Sequence, residues 1–347
     1  MRTYSVRDEL VVPRNMPDAS PVAADVFFSL LDRSRTRAGV DDAAALRDTV
    51  ERGVHAEKLG LHRFWVAEHH AVPGIASGAP AVLAAAVASQ TSRIRVGSGG
   101  VMLPNHQPLI VAEQFLMLES LFPGRVDLGV GRSLGFTEPV RAALRRDRDA
   151  PDTFEADIAE LRSYLDGSGP VTARPAAAPP PMFVLATGAG LEVAARAGLP
   201  VVLGGPVLRG DDPLALYRKH FRPSSQLSEP YVIVSLDVTI AAYTADARRL
   251  ALPEAWAMAR SRREGEFPAL EPASSIDESR WTPRTRDRIE SSLDATILGT
   301  AEQVRPRLDE LIERTGADEV MASTSTFDRA ELFAADAAFA QLSAAVS

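Results

Sequence analysis

Residues 64–70 read Phe64-Trp65-Val66-Ala67-Glu68-His69-His70. Four apolar residues run straight into three polar ones. A short run that is apolar on both faces suits a strand covered on both sides, and the polar residues mark where the chain leaves the sheet. The same unit recurs outward in both directions. Apolar runs at 26–31, 94–97, 126–130, 182–186, 201–203, 231–240 and 319–324 predict seven further strands. Helical periodicity at 41–59, 79–90, 108–121, 153–164, 191–197, 301–315 and 330–345 predicts the segments between and after them. The first helix has Asp41 or Asp42 for an N-cap and Gly60 at its end. Strand, helix, strand with short connections means parallel strands joined by right-handed crossovers. Eight of them predict a closed (β/α)8 TIM barrel. The competing doubly wound sheet would carry a glycine-rich phosphate loop after its first strand, where this chain has Leu31-Asp32-Arg33-Ser34-Arg35.

Residues 1–23 show no periodicity and read as an N-terminal arm, leaving 24–347 as a single barrel domain. Two segments break the rhythm, 206–231 and 253–293. The second is long, charged and proline-punctuated. It follows the seventh strand, on the side where a barrel builds its active site, so it is expected to be a lid insertion.

With 46% apolar residues in 347, the chain can bury a large core. A net charge of −8 argues against nucleic acid or an anionic membrane as the main partner. The absence of cysteine removes disulfides, thiolate metal sites, Fe–S clusters and cysteine nucleophiles. The N-terminus carries no apolar core of signal-peptide length, and the longest apolar run, Ala79 to Ala88, is too short to cross a bilayer, so a soluble cytoplasmic protein is expected.

Function in a barrel sits at the C-terminal ends of strands. After the second strand come Glu68, His69 and His70, and two of the six histidines in the chain are thus adjacent. Imidazole titrates near neutrality and suits proton transfer; a loop-capping role fits the same pair. Adjacent side chains on extended backbone point apart, and no carboxylate pair with ligand spacing is nearby, so no metal is expected. After the third strand, Ser98-Gly99-Gly100 permits close approach of a flat ligand or an unusual backbone. After the fifth, Thr187-Gly188-Ala189-Gly190 opens a helix, where free N–H groups favour phosphate. Arg132, at the end of the fourth strand, can pair with the same phosphate. A flat phosphorylated ligand fits this set; flavin mononucleotide and a sugar phosphate both satisfy it.

These blocks resemble the bacterial luciferase-like flavin-dependent monooxygenases. The resemblance runs through 64–70 and through Val96-Gly97-Ser98-Gly99-Gly100-Val101-Met102-Leu103-Pro104-Asn105-His106-Gln107-Pro108. It continues through Pro123-Gly124-Arg125-Val126-Asp127-Leu128-Gly129-Val130-Gly131-Arg132, and returns at 183–200 and 298–321. It implies a (β/α)8 barrel that binds reduced FMN, adds O2 at the flavin C4a carbon, and oxidises a small organic substrate with the resulting peroxide. It assigns His69 to catalysis, Arg132 and Thr187 to the phosphate, and a non-proline cis bond to Ser98-Gly99-Gly100. It also implies a homodimer through the helix at 79–90, which is apolar on nearly every face, and its neighbour. No nicotinamide fingerprint is visible, so a separate flavin reductase is expected to supply FMNH2. His70, Glu68 and His106 are expected as supporting or substrate groups. The same resemblance leaves open an F420-dependent hydride-transfer enzyme and a non-catalytic flavin-binding or scaffold homologue. The chain departs from some relatives at Ala186 and Gly190, which bear no hydroxyl, and at Gly135, where a bulkier residue is common.

Overall fold

The computed structural model describes residues 26–344 apart from 136, 150 and 211, so the arm expected at 1–23 lies outside the described residues. Ten strands are described: β1 (Phe27–Asp32), β2 (Arg63–Val66), β3 (Arg95–Met102), β4 (Val126–Gly131), β5 (Met182–Leu185), β6 (Val201–Gly204), β7 (Val232–Leu236), β8 (Val238–Ile240), β9 (Ile297–Gly299) and β10 (Glu319–Ala322). All but β8 and β9 close a parallel barrel in the order β1-β2-β3-β4-β5-β6-β7-β10. The helices are α1 (Asp42–Lys58), α2 (Pro80–Ser89), α3 (Pro108–Leu121), α4 (Glu138–Ala143), α5 (Phe154–Leu165), α6 (Ala189–Ala197), α7 (Ala215–His220), α8 (Thr244–Glu264), α9 (Pro283–Ala295), α10 (Ala301–Thr315) and α11 (Arg329–Ala344). The expected eight-stranded barrel is therefore present.

Local signals set the helix ends. Asp41 is the N-cap of α1 and accepts from the Ala43 N–H at 3.3 Å. Gly198 and Gly316 end α6 and α10 in the left-handed conformation. Inside the barrel, Trp65, Phe183, Val202, Ile233 and Met321 pack together, with Leu31, Leu185 and Tyr231 partly buried against them. A larger apolar layer, including Phe64, Phe115, Leu128 and Val234, joins the wall to the helices.

Two expectations are corrected. The strand expected at 231–240 is two strands. The chain leaves the barrel at Asp237, whose carboxylate takes Arg33 and Ser323, and β8 then pairs with β9 in a separate parallel sheet. The segment at 253–293 is not punctuated by Pro253, which lies inside α8. Among the described residues α8 and α9 pack on each other around Ala255, Ile276, Ile289 and Leu293, and Trp256 and Trp281 stack there at 6.2 Å. Those tryptophans pack the insertion's own core. Residues 267–270 reach across to the loops after β1 and β2: Gly74 N–H donates to Phe267 O at 2.7 Å, and Leu270 N–H to Thr36 O at 2.9 Å.

The N-terminal end of the barrel is closed by charge. Arg63 lies between Asp127 at 2.8 Å and Glu319 at 2.9 Å, with both carboxylates fully buried. Asp127 also takes Arg95 at 2.6 Å and the Trp65 indole N–H at 3.0 Å.

Candidate active site at the barrel mouth

The floor of the mouth is made by β3. Its register against β4 shifts between Ser98 and Val101, and the Gly99-Gly100 peptide is cis. Ser98 itself is buried, and its hydroxyl donates to Gly129 O at 2.8 Å, so only its backbone belongs to the bulge. A side chain at Gly99 would collide with Leu31 and Trp65, and one at Gly100 with Gly129 and Leu185. Neither position admits a side chain unless its neighbours shift, so the backbone here packs directly against Leu31, Gly129 and Leu185.

Arg132 follows β4, and the first turn of α6 stands beside it: a Cβ at Gly190 would be 3.9 Å from the arginine Cδ. Thr187, Gly188 and Ala189 are exposed; Gly188 takes φ +55°, and no side chain caps the helix. A cation next to an uncapped helix N-terminus suits a phosphate. The two departures here have physical reasons. A Cβ at Gly190 would sit 3.1 Å from that of Ala186, so a hydroxyl-bearing residue would crowd the α6–β5 contact. Gly135 has φ +108°, which strains any residue with a side chain.

His69 stands on the other side of the mouth, its N–H bonded to Ser77 O at 2.9 Å. Burial first, then the positive charges of Arg33 and Arg35, push it down to about 4 against the opposing charge of Glu68. The ring is therefore neutral at pH 7 and able to accept a proton.

Glu68 ties the surrounding segments together. Its Oε1 accepts from His70 Nε2 at 2.6 Å and His106 Nε2 at 2.7 Å, and its Oε2 from the Met102 N–H at 2.9 Å. Burial would raise this carboxylate, but the donors from His106, His70 and Met102 outweigh it and hold it at about 2. The three side chains bring ligand atoms within 4.8 Å of one another, a donor set a divalent cation can use. The imidazoles already close on the carboxylate at hydrogen-bond distance, which makes the cluster complete as a clamp between the loop after β2 and the end of β3.

The histidines predict a pH dependence. His62, like His69, is pushed down to about 4, by burial and then by Arg63. Both rings gain a proton below about 6.5 in the unfolded chain but only near 4 in the folded one. The unfolded state thus binds more protons in that window, and stability falls as pH drops through it, by about 3 kcal/mol per ring when complete. Urea midpoints of a His62→Gln, His69→Gln double variant should fall less than those of wild type between pH 6.5 and 4.5. A slope equal to wild type would refute the assignment. Glu68 acts in the same direction in a lower window, its contribution being lost only as pH falls from about 4.5 to 2.

Sequence reading missed the polar rim between β7, β10 and β1. Arg33 reaches Asp237 at 2.6 Å, Ser323 O at 2.7 Å and Glu254 at 3.2 Å, and Arg35 reaches Glu254 at 2.9 Å. The one available signal was Asp237, a charge inside a β-branched run. It also missed Asp152, whose carboxylate meets Arg132 at 2.6 Å.

One mouth of the parallel barrel thus brings together the Gly99-Gly100 bulge, Arg132 beside the first turn of α6, and His69. The chain belongs to the luciferase-like monooxygenase family, whose model matches residues 26–319. It is 36% identical over 316 residues to a luciferase-like monooxygenase of Escherichia coli (strain K12), covering 87% of this chain and 92% of that one. The solved structure of apo-MsnO8 superposes with a TM-score of 0.80 at 30% identity, covering 91% of this chain and 98% of that one. The oxygenating constituent of 3,6-diketocamphane monooxygenase from Pseudomonas putida, solved with FMN, shares the fold at a TM-score of 0.68 and 17% identity, over 91% of this chain and 97% of that one. Among the described residues no helix is long and apolar enough to cross a membrane.

Proposed function

We propose that the protein is an FMN-dependent monooxygenase that uses reduced FMN and O2 to oxidise a small organic substrate. The observation that carries this reading is Arg132 beside the open turn of α6, next to the cis-glycine floor of β3. Arg132, Thr187 and the 188–190 backbone would hold the phosphate, and the 98–100 backbone would lie against the ring. When bound, the reduced flavin supplies the electrons that activate O2. His69, neutral and half-buried, takes up or returns a proton at an imidazole nitrogen. The insertion, hydrogen-bonded to the loops after β1 and β2, limits the entry of water. No nucleotide-binding glycine fingerprint follows a strand, so reduced flavin arrives from a separate reductase.

Titration with FMN, FMNH2 and F420, followed by oxygen uptake, tests the reading. Binding of FMNH2 with O2 consumption supports it. Binding of F420 with hydride transfer and no O2 uptake overturns it in favour of the deazaflavin enzyme. Failure to bind either leaves a scaffold barrel.

The proposed assembly is a homodimer through α2 and α3. Val82 is 72% exposed on α2, while Ile110, Met117 and Leu121 are exposed on α3 at spacings of one helical face. Sedimentation at micromolar concentration should give a dimer for wild type and a monomer for Val82→Glu, Leu121→Glu. A monomeric wild type would rule the interface out.

A further inference from the structure

We infer that Asp152 is an internal competitor for the anion site: its carboxylate holds Arg132 when no phosphate is bound, is displaced by one, and so sets how tightly a phosphorylated flavin is held. The inference rests on the reading of Arg132 and the α6 turn as the phosphate site.

Arg132 Nη2 meets Asp152 Oδ2 at 2.6 Å, and among the described residues its guanidinium meets no other carboxylate. The other oxygen, Oδ1, accepts the Phe154 N–H at 3.1 Å, which fixes the carboxylate at the start of α5. One oxygen thus serves the helix and the other serves the arginine. The carboxylate oxygen on Arg132 occupies the place a phosphate oxygen would take on the same guanidinium. Both side chains are substantially exposed, at 40% for Arg132 and 54% for Asp152, so the pair can part without leaving a buried charge unpaired.

The competition has a direction. A phosphomonoester carries close to two negative charges at neutral pH. On binding it takes the guanidinium, gains the N–H groups of Gly188 and Ala189 at the start of α6, and repels Asp152. A flavin without phosphate leaves the Arg132–Asp152 pair in place and is indifferent to it. Asp152 therefore weakens binding of FMN and has no effect on riboflavin. That is useful in a site that must exchange flavin with a separate reductase, because tight retention would slow each exchange.

Dissociation constants for oxidised FMN and riboflavin, read by flavin fluorescence at fixed ionic strength, test this in wild type, Asp152→Asn, Arg132→Gln and the double variant. Asn keeps an acceptor for the Phe154 N–H, so the start of α5 is preserved. FMN should bind about three- to tenfold tighter to Asp152→Asn, the range of an exposed ion pair, with riboflavin unchanged within about twofold. In the Arg132→Gln background the substitution should shift FMN by less than about twofold. Unchanged or weaker FMN binding in Asp152→Asn overturns the inference, as does equal tightening of riboflavin. Inorganic phosphate is the second probe, read as a thermal shift. It should stabilise Asp152→Asn more than wild type, and Arg132→Gln not at all. If FMN fails to bind wild type but phosphate gives this pattern, the flavin reading falls and the inference stands. If neither binds, both fall.

Discussion

Alanine at position 69 is expected to lower substrate oxidation by about 10²–10⁴-fold, the span a positioned acid–base group contributes, while the fold survives. The imidazole is held neutral by burial and by the charges of Arg33 and Arg35, so wild type presents an uncharged ring at pH 7, able to hydrogen-bond a reacting group and to exchange a proton with it. Alanine removes the acceptor and leaves Glu68 bonded to His70, His106 and Met102. FMN affinity should change little, because the phosphate cradle lies across the mouth at β4 and β5. A kcat loss with unchanged FMN affinity and unchanged thermal midpoint supports the role. Wild-type turnover in the variant would sink it, and a collapsed thermal midpoint would assign His69 to the fold instead.

Asp127→Ala should do the reverse. Asp127 is fully buried at the opposite end of the barrel, where it answers Arg63 and Arg95 and accepts the Trp65 indole N–H. Those two arginines bring its carboxyl below the usual range despite burial. With Asp127 gone, Glu319 alone faces Arg63, and the plug is left with an uncompensated positive charge. Breaking a buried pair from one side costs about 3–5 kcal/mol, a large share of the roughly 5–15 kcal/mol that holds a domain together. Chemical denaturation should show that loss, with the folded fraction still binding FMN like wild type. A loss under about 1 kcal/mol, within the range of exposed pairs, would mean that water reaches the plug.

The barrel was legible because its signals are local. Buried parallel strands read as short apolar runs, helices as 3.6-residue periods, and their alternation leaves few topologies. The mouth was legible for a related reason, since strand ends place His69, Gly99, Gly100, Arg132 and Thr187 on one face once the barrel is accepted. Departures from that legibility have a common cause. Pro253 reads as punctuation, yet α8 runs through it, because the packing of Leu252, Ala255 and Ala259 into the insertion's cluster outweighs a local preference. Residues 231–240 read as one strand, whereas the chain breaks at Asp237, where Arg33 and Ser323 meet its carboxylate. Glu68, His70 and His106 were visible singly, but their convergence on one oxygen needed β2 beside β3. Asp152 carried no signal at all, since its partner lies 20 residues away across the turn into α5. The sequence alone therefore determined the barrel and which strand ends carry its polar residues, because period and strand position are properties of neighbouring residues, while the choice of His69 came from the family resemblance. Only the tertiary structure decided which charges face one another, because pairing energy falls off over a few ångströms in space and takes no account of distance along the chain.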